Sequence, residues 1–182
     1  MTIQTGSAQL GEQVIRRVVF DVHEVRSRVR ALAAEISAAY TAEDQLLVLG
    51  LLKGSFIFLA DLVREIQLPL HIDFLVASSY GKDKVSSGDV RLLYDASASL
   101  EGRAVLLVED IVDSGLTLDC LLPRLEARGP TSVEVCTLLH KRVDTLGKEP
   151  RWVGFDAPNE FLVGYGLDYA EDFRHLPYIA SL

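Results

Sequence analysis

Apolar residues recur along the chain with two periods, one of helices and one of buried strands. Val22, Val25, Val29, Leu32, Ile36 and Ala39 repeat at helical spacing behind Asp21-Val22-His23-Glu24, which resembles a capping box. This predicts an amphipathic helix to about Tyr40. Gln45 to Leu51 is a short, almost wholly apolar run, and after Lys53-Gly54-Ser55 the segment Phe56 to Ile66 returns to helical spacing, so strand, turn and helix follow one another. Leu70 to Ala77, opened by Pro69, and Val90 to Tyr94 fit strands on either side of a polar loop, Ser78 to Asp89. Arg103 to Glu109 reads as a further strand, Leu116 to Arg128 as a helix stopped by Gly129-Pro130, and Thr131 to Leu139 as a strand with β-branched residues alternating at its start. From Trp152 onward the pattern is short and irregular, as in a segment that folds back over strand ends. Alternating strands and helices predict an α/β fold, a mostly parallel twisted sheet flanked by helices.

Composition narrows the class. At 182 residues the chain has the size of one domain, and a hydrophobic fraction of 49% is enough for a sizeable core. Residues 1–13 resemble neither a secretory signal nor a folded element, so a poorly ordered start is expected. The longest apolar stretch, Leu46 to Leu52, is interrupted by Lys53 and falls well short of the roughly 20 residues that span a bilayer. A formal net charge of −8 argues against a protein whose overall field holds a polyanion. Cys120 and Cys136 lie in apolar segments without metal-ligand spacing, which suits buried thiols without a disulfide in a reducing, cytoplasmic setting.

The chemistry concentrates in Val105 to Thr117, VLLVEDIVDSGLT. Val105 to Val108 suit a strand buried on both faces, which puts Glu109 and Asp110 at its carboxyl end, where open α/β sheets bind ligands. Asp113, Ser114, Gly115 and Thr117 then form a turn into a helix whose free amides can receive a phosphate. Three carboxylates within five residues repel one another unless a cation or hydroxyl groups occupy the site. As residues alone, Asp113 or Ser114 would also serve as a plain helix cap.

An acidic pair, two apolar residues and Asp-Ser-Gly-Leu-Thr resemble the phosphoribosyl diphosphate (PRPP) motif of the type I phosphoribosyltransferases, and VEDIVDSG resembles the 6-oxopurine branch. The likeness runs from Val48 to Ile179 with further segments in the family's order. It implies a type I phosphoribosyltransferase fold with a small hood built from terminal segments, residues 152–182 among them. It also implies roles. Glu109 and Asp110 would hold the ribose, Asp113, Ser114, Gly115, Leu116 and Thr117 the 5′-phosphate turn, and Asp113 would act as proton acceptor at purine N7. Lys53 and Gly54 match a pyrophosphate loop, often built on a non-proline cis peptide, and Arg174 matches an arginine near the pyrophosphate. Ser79 and Tyr80 match a flexible loop that closes over the reaction centre and excludes water.

Lys141 matches a lysine that donates to the purine 6-oxo group. An ammonium has donors only, so it favours an oxo group over the amino group of adenine. Phe161 would stack on the purine, the Leu162 backbone would meet the base edge, and Asp168, beside the base, would hold Mg2+ together with Glu109 and Asp110. Two positions depart from the family's habit: Leu162 replaces a usual valine or isoleucine, and Leu116 a frequent polar or basic residue. The expected activity is Mg2+-dependent transfer of 5-phosphoribosyl from PRPP to N9 of hypoxanthine or guanine, a step of purine salvage. A xanthine-preferring enzyme, or a PRPP-sensing regulator that binds nucleic acid on the same fold, are the alternatives; the acidic chain offers no Lys/Arg cluster for the latter. Relatives are commonly homodimers or homotetramers, and neither membrane nor nucleic acid is an expected partner.

Overall fold

The computed structural model describes residues 9–10, 13–79, 90–142 and 147–182. Along them run β1 (Gln9–Leu10), β2 (Gln13–Val14), β3 (Arg17–Phe20), α1 (Val22–Ala39), β4 (Leu47–Leu52) and α2 (Phe56–Glu65). Then follow β5 (His71–Ser79), β6 (Val90–Tyr94), β7 (Ala104–Val112), α3 (Leu116–Glu126), β8 (Ser132–His140), β9 (Trp152–Asp156), β10 (Leu162–Val163) and β11 (Ile179–Ser181).

Local chemistry explains the boundaries. The Asp21 carboxylate accepts from the amides of His23 and Glu24 at 2.7 and 2.9 Å, and the Glu24 carboxylate accepts from the Asp21 amide at 2.8 Å. This reciprocal cap satisfies amides at the start of α1. Val25, Val29, Leu32, Ala33 and Ile36 then form the buried stripe, and Phe58, Leu59 and Leu62 do the same for α2.

The main sheet has the order β6-β5-β4-β7-β8-β9, parallel throughout except for β6, which runs antiparallel to β5. Its two faces bury separate cores. One holds α1 and α2 over Val48, Leu106 and Val108; the other holds α3 over Leu47, Leu49, Val105 and Leu107. Strands covered on both sides must be apolar at every position, which is why β4 and the start of β7 read as continuous apolar runs. Among the described residues no helix is long and apolar enough to cross a membrane.

A second, three-stranded sheet has the order β10-β11-β3. It forms the hood, with Val163, Phe173, Leu176 and Ala180 as its own small core. The Tyr165 hydroxyl donates to Asp61 Oδ2 at 2.6 Å and ties the hood to α2.

Four expectations change. Residues 152–156 do not belong to the hood but extend the main sheet as β9, paired in parallel with β8. The N-terminal β3 joins the hood, in keeping with a hood of terminal segments, whereas Gln9–Leu10 pairs with Gln13–Val14 where a poorly ordered start is expected. Strand β7 does not stop at Glu109 but continues to Val112, because Ile111 and Val112 still pair with Leu139 and His140. Cys136 is buried as expected, whereas Cys120 is only partly so.

Candidate active site

The chain leaves β4 for α2 on one face of the sheet and leaves β7 for α3 on the other, although β4 and β7 are neighbours. Such a reversal opens a crevice at the carboxyl ends of the two strands. Lys53 and Gly54 lie on one side of it and the acids of β7 on the other. The Leu52–Lys53 peptide is cis, as the family likeness implies. Gly54 is tightly enclosed: a Cβ there would overlap the Asp110 carboxylate, and one on Gly166, whose φ is +104°, would overlap the Gly54 carbonyl. Behind the loop, buried Ser55 donates its hydroxyl to the Leu51 carbonyl at 2.6 Å.

Glu109 is 7% exposed, and its Oε2 has no hydrogen-bond partner among the described residues. Burial, and secondarily the charge of Asp110, pushes its carboxyl well above the ordinary range. Asp110 is half-buried, and burial raises it to about 6 against the lowering effect of backbone amides and Arg174. Both acids are thus held in a poorly solvated place without full compensation. Hydroxyl groups or a cation would supply what the protein does not.

Past Val112 the chain turns through Asp113, Ser114 and Gly115, with Gly115 at φ +76° as the N-cap of α3. No side chain caps this helix. Its first intrahelical acceptor is the Gly115 carbonyl, bonded by the Asp119 amide at 3.0 Å, so the preceding amides stay available. Glu109, Asp113, Ser114, Gly115 and Thr117 line a cavity of about 80 Å3 at this point. A small anion would meet free amides and the positive end of the helix dipole there. Leu116 is 41% exposed, contributing neither charge nor packing to the turn.

Lys141 follows β8 and reaches across to β7: its Nζ lies 3.0 Å from Asp113 Oδ2. The lysine is largely covered and the aspartate largely open, so the pair forms one wall of the crevice rather than a link within the core. Phe161 is 54% exposed at the start of the hood, its ring edge-on to Tyr169 with centroids 5.6 Å apart. An exposed aromatic platform next to buried Leu162 suits a stacking partner. Tyr80 lies outside the described residues. Ser79, expected in the polar loop, is instead the last residue of β5, paired with Val90 of β6.

Asp168 and Arg174 meet on the hood side, with Arg174 Nη2 at 2.8 Å from Asp168 Oδ1 and Nη1 donating to the Gly166 carbonyl at 2.8 Å. Glu171 has no counterpart among the residues expected from the sequence. Its carboxylate takes Lys53 at 3.0 Å and Arg174 at 3.3 Å, so it links the two expected pyrophosphate contacts. Among the described residues no three acidic, histidine or cysteine side chains form a ready-made metal cage.

A family model for the phosphoribosyl transferase domain matches residues 18–170. The chain is also 44% identical over 171 residues to a hypoxanthine-guanine phosphoribosyltransferase of Dictyostelium discoideum, which covers 92% of this chain and 95% of that one. The chain belongs to the hypoxanthine-guanine phosphoribosyltransferase family. A second family member, from Mycobacterium avium, is 46% identical over 183 residues, covering 96% of this chain and 89% of its own. Among solved structures, a hypoxanthine phosphoribosyltransferase from Staphylococcus aureus superposes with a TM-score of 0.86 at 37% identity, over 92% of this chain and 91% of the other. The protein is therefore an enzyme of the transferase class, and the crevice between β4 and β7 is its candidate active site.

Proposed function

We propose that the enzyme transfers 5-phosphoribosyl from PRPP to N9 of hypoxanthine or guanine, yielding IMP or GMP and pyrophosphate. The observation that carries the substrate reading is the Asp113–Lys141 pair, 3.0 Å apart at the ends of adjacent strands. A 6-oxopurine presents O6 and N7 side by side on one edge. Lys141 donates to O6 while Asp113 accepts the proton of an N7–H tautomer, so one charged pair reads both atoms. Adenine would turn an amino group toward the ammonium and leave it unpaired.

The rest of the site divides the PRPP molecule. Gly115, Leu116 and Thr117 offer amides, and Ser114 and Thr117 hydroxyls, to the 5′-phosphate. Glu109 and Asp110 take the ribose hydroxyls, which relieves the uncompensated burial of their carboxylates. Lys53, the Gly54 amide and Arg174 receive the pyrophosphate. Phe161 stacks on the base, and Leu162 fixes its edge through the backbone. By the family likeness Ser79, at the end of β5, and Tyr80 would serve the closure that excludes water.

In the reaction the bond from C1′ to the pyrophosphate oxygen breaks and the bond from C1′ to N9 forms, through an oxocarbenium-like state. Asp113 takes the proton that the base must lose. Glu109, Asp110 and Asp168 suit Mg2+, a hard cation bound through few carboxylates together with substrate oxygens; the orphaned Glu109 oxygen supports this. When bound, Mg2+ neutralises charge on the leaving pyrophosphate. We further infer a single domain over residues 1–182, a cytoplasmic location, and a homodimer or homotetramer, for which the exposed Ile72, Phe74, Leu93 and Tyr94 of β5 and β6 offer an apolar margin.

The test is incubation of the purified protein with Mg2+, PRPP and each of hypoxanthine, guanine and xanthine. IMP or GMP formed in equal amount to pyrophosphate is expected. No turnover, or kcat/KM highest for xanthine, would refute the proposal.

A further inference from the structure

The two cations expected to receive pyrophosphate already share an anion supplied by the chain. One oxygen of the Glu171 carboxylate lies 3.0 Å from Lys53 Nζ and the other 3.3 Å from Arg174 Nη2. Among the described residues Glu171 is the only hydrogen-bond or ion-pair partner of the Lys53 ammonium, whereas Arg174 also has Asp168. With Lys53 and Arg174 opposite Asp168 and Glu171, the two positive charges are balanced before any ligand arrives. The Glu171 carboxyl is correspondingly held below its ordinary range, first by Lys53 and then by Arg174.

Backbone conformation points the same way. Tyr169 and Asp172 exchange amide-to-carbonyl bonds of 3.2 and 3.0 Å around a two-residue tip, Ala170-Glu171. Both tip residues have positive φ, 51° and 72°. A turn of this kind normally carries Asn-Gly, Asp-Gly or Gly-Gly, because other side chains are strained there. A glutamate in a left-handed position needs a compensating contact, and the Lys53 and Arg174 contacts are the ones its side chain makes. A bond of 2.9 Å from its amide to Asp168 Oδ2 fixes the tip. Its side chain is 65% exposed and free to swing outward without disturbing the core.

We propose that Glu171 is a displaceable stand-in for pyrophosphate: in the empty enzyme it occupies Lys53 and Arg174, and the leaving group competes with it for them. The proposal rests on the functional reading above. It makes Glu171 a residue that positions the two cations while the site is empty and promotes release of pyrophosphate by returning to them. Removing its charge should tighten pyrophosphate binding. Two exposed ion pairs of ordinary strength correspond to roughly a three- to tenfold change in affinity.

The decisive experiment measures pyrophosphate binding by calorimetry with Mg2+ present, and steady-state KM values, for the unaltered enzyme and for Glu171→Gln. Expected are a Kd for pyrophosphate lower by roughly three- to tenfold, a matching fall in KM for PRPP, and a KM for hypoxanthine unchanged within about twofold. The gain should shrink as salt is raised, since the contacts are exposed. Glu171→Asn, which suits a left-handed turn, should give the same gain. Unchanged or weaker pyrophosphate binding in both variants, with normal binding by the unaltered enzyme, would overturn this proposal alone. Failure of the unaltered enzyme to bind pyrophosphate would overturn the functional reading and this one with it.

Discussion

Replacing Asp110 by asparagine should stabilise the empty enzyme while disabling it. Burial raises the Asp110 carboxyl from its ordinary 3.8 to about 6. Well below its ordinary pKa of 3.8 the group is neutral in both folded and unfolded chains and costs the fold nothing through ionisation. As pH rises from about 4 to about 6 the unfolded chain is ionised while the folded one still holds its proton, so stability falls, and it levels off once the poorly solvated acid ionises above about 6. A rise of this size costs the fold about 3 kcal/mol at pH 7 to 8. That is an upper value, since the group is partly exposed and accepts backbone hydrogen bonds that an amide oxygen can keep. For a domain of this length, removing a cost of at most about 3 kcal/mol raises Tm by at most about 6–12 °C. Thermal unfolding in EDTA, from pH 3.5 to 8, should show Asp110→Asn gaining on the unaltered enzyme through the interval from about pH 4 to about 6, with PRPP turnover lost. Equal or lower Tm at pH 8, or a gain of the same size at pH 4, would refute the assignment of Asp110 as a carboxylate held at the site against its own solvation.

Two further substitutions separate the parts of the site. Asp113→Asn keeps the size of the side chain and removes the proton acceptor, so kcat should fall by about 10²–10⁴ while PRPP binding, followed by calorimetry, persists. Leu116→Lys adds a cation at the start of α3, where Leu116 is exposed and uncommitted; KM for PRPP should fall by roughly two- to fivefold, with KM for hypoxanthine unmoved.

Much of the fold is legible in the sequence because its central strands are buried on both faces. Leu47 to Leu51 and Val105 to Val108 could not be solvated anywhere else, and the Asp21–Glu24 cap announces α1 before the helix begins. The misses are elements stabilised from a distance. Trp152–Asp156 is a five-residue edge strand interrupted by Gly154, too short to stand out from the irregular segment around it; Arg28 covers it by donating to the Val153 and Gly154 carbonyls at 2.7 and 2.9 Å. Gly154 is tolerated there because it lies against the Leu138 backbone, where a Cβ would overlap the carbonyl. Strand β3 depends on β11, far away at the other end of the chain, and a four-residue segment with two exposed positions carries little signal of its own.

The candidate site divides in the same way. Val105 to Thr117 is readable because strand, acids and turn are contiguous, and the structure keeps them in one crevice. Within it the strand end is misplaced, since the apolar run breaks at Glu109-Asp110 and the pairing of Ile111 and Val112 with β8 leaves no local signal. The place of Glu171 could not be read, because Lys53 lies 118 residues earlier. Its one signal was Asp168-Tyr169-Ala170-Glu171-Asp172, a short acidic stretch between the glycines of the hood and Arg174.

Everything proposed for the base site depends on Lys141 and Asp113 reading the O6 and N7 edge of a purine beside bound PRPP. Measuring kcat/KM for hypoxanthine and for adenine under identical Mg2+ and PRPP tests this without intermediaries. IMP and pyrophosphate should form from hypoxanthine, with a value for adenine lower by about 10³-fold or more, because adenine leaves the Lys141 ammonium without an acceptor. Comparable values for the two bases, or a preference for adenine, would show that this pair does not select the base.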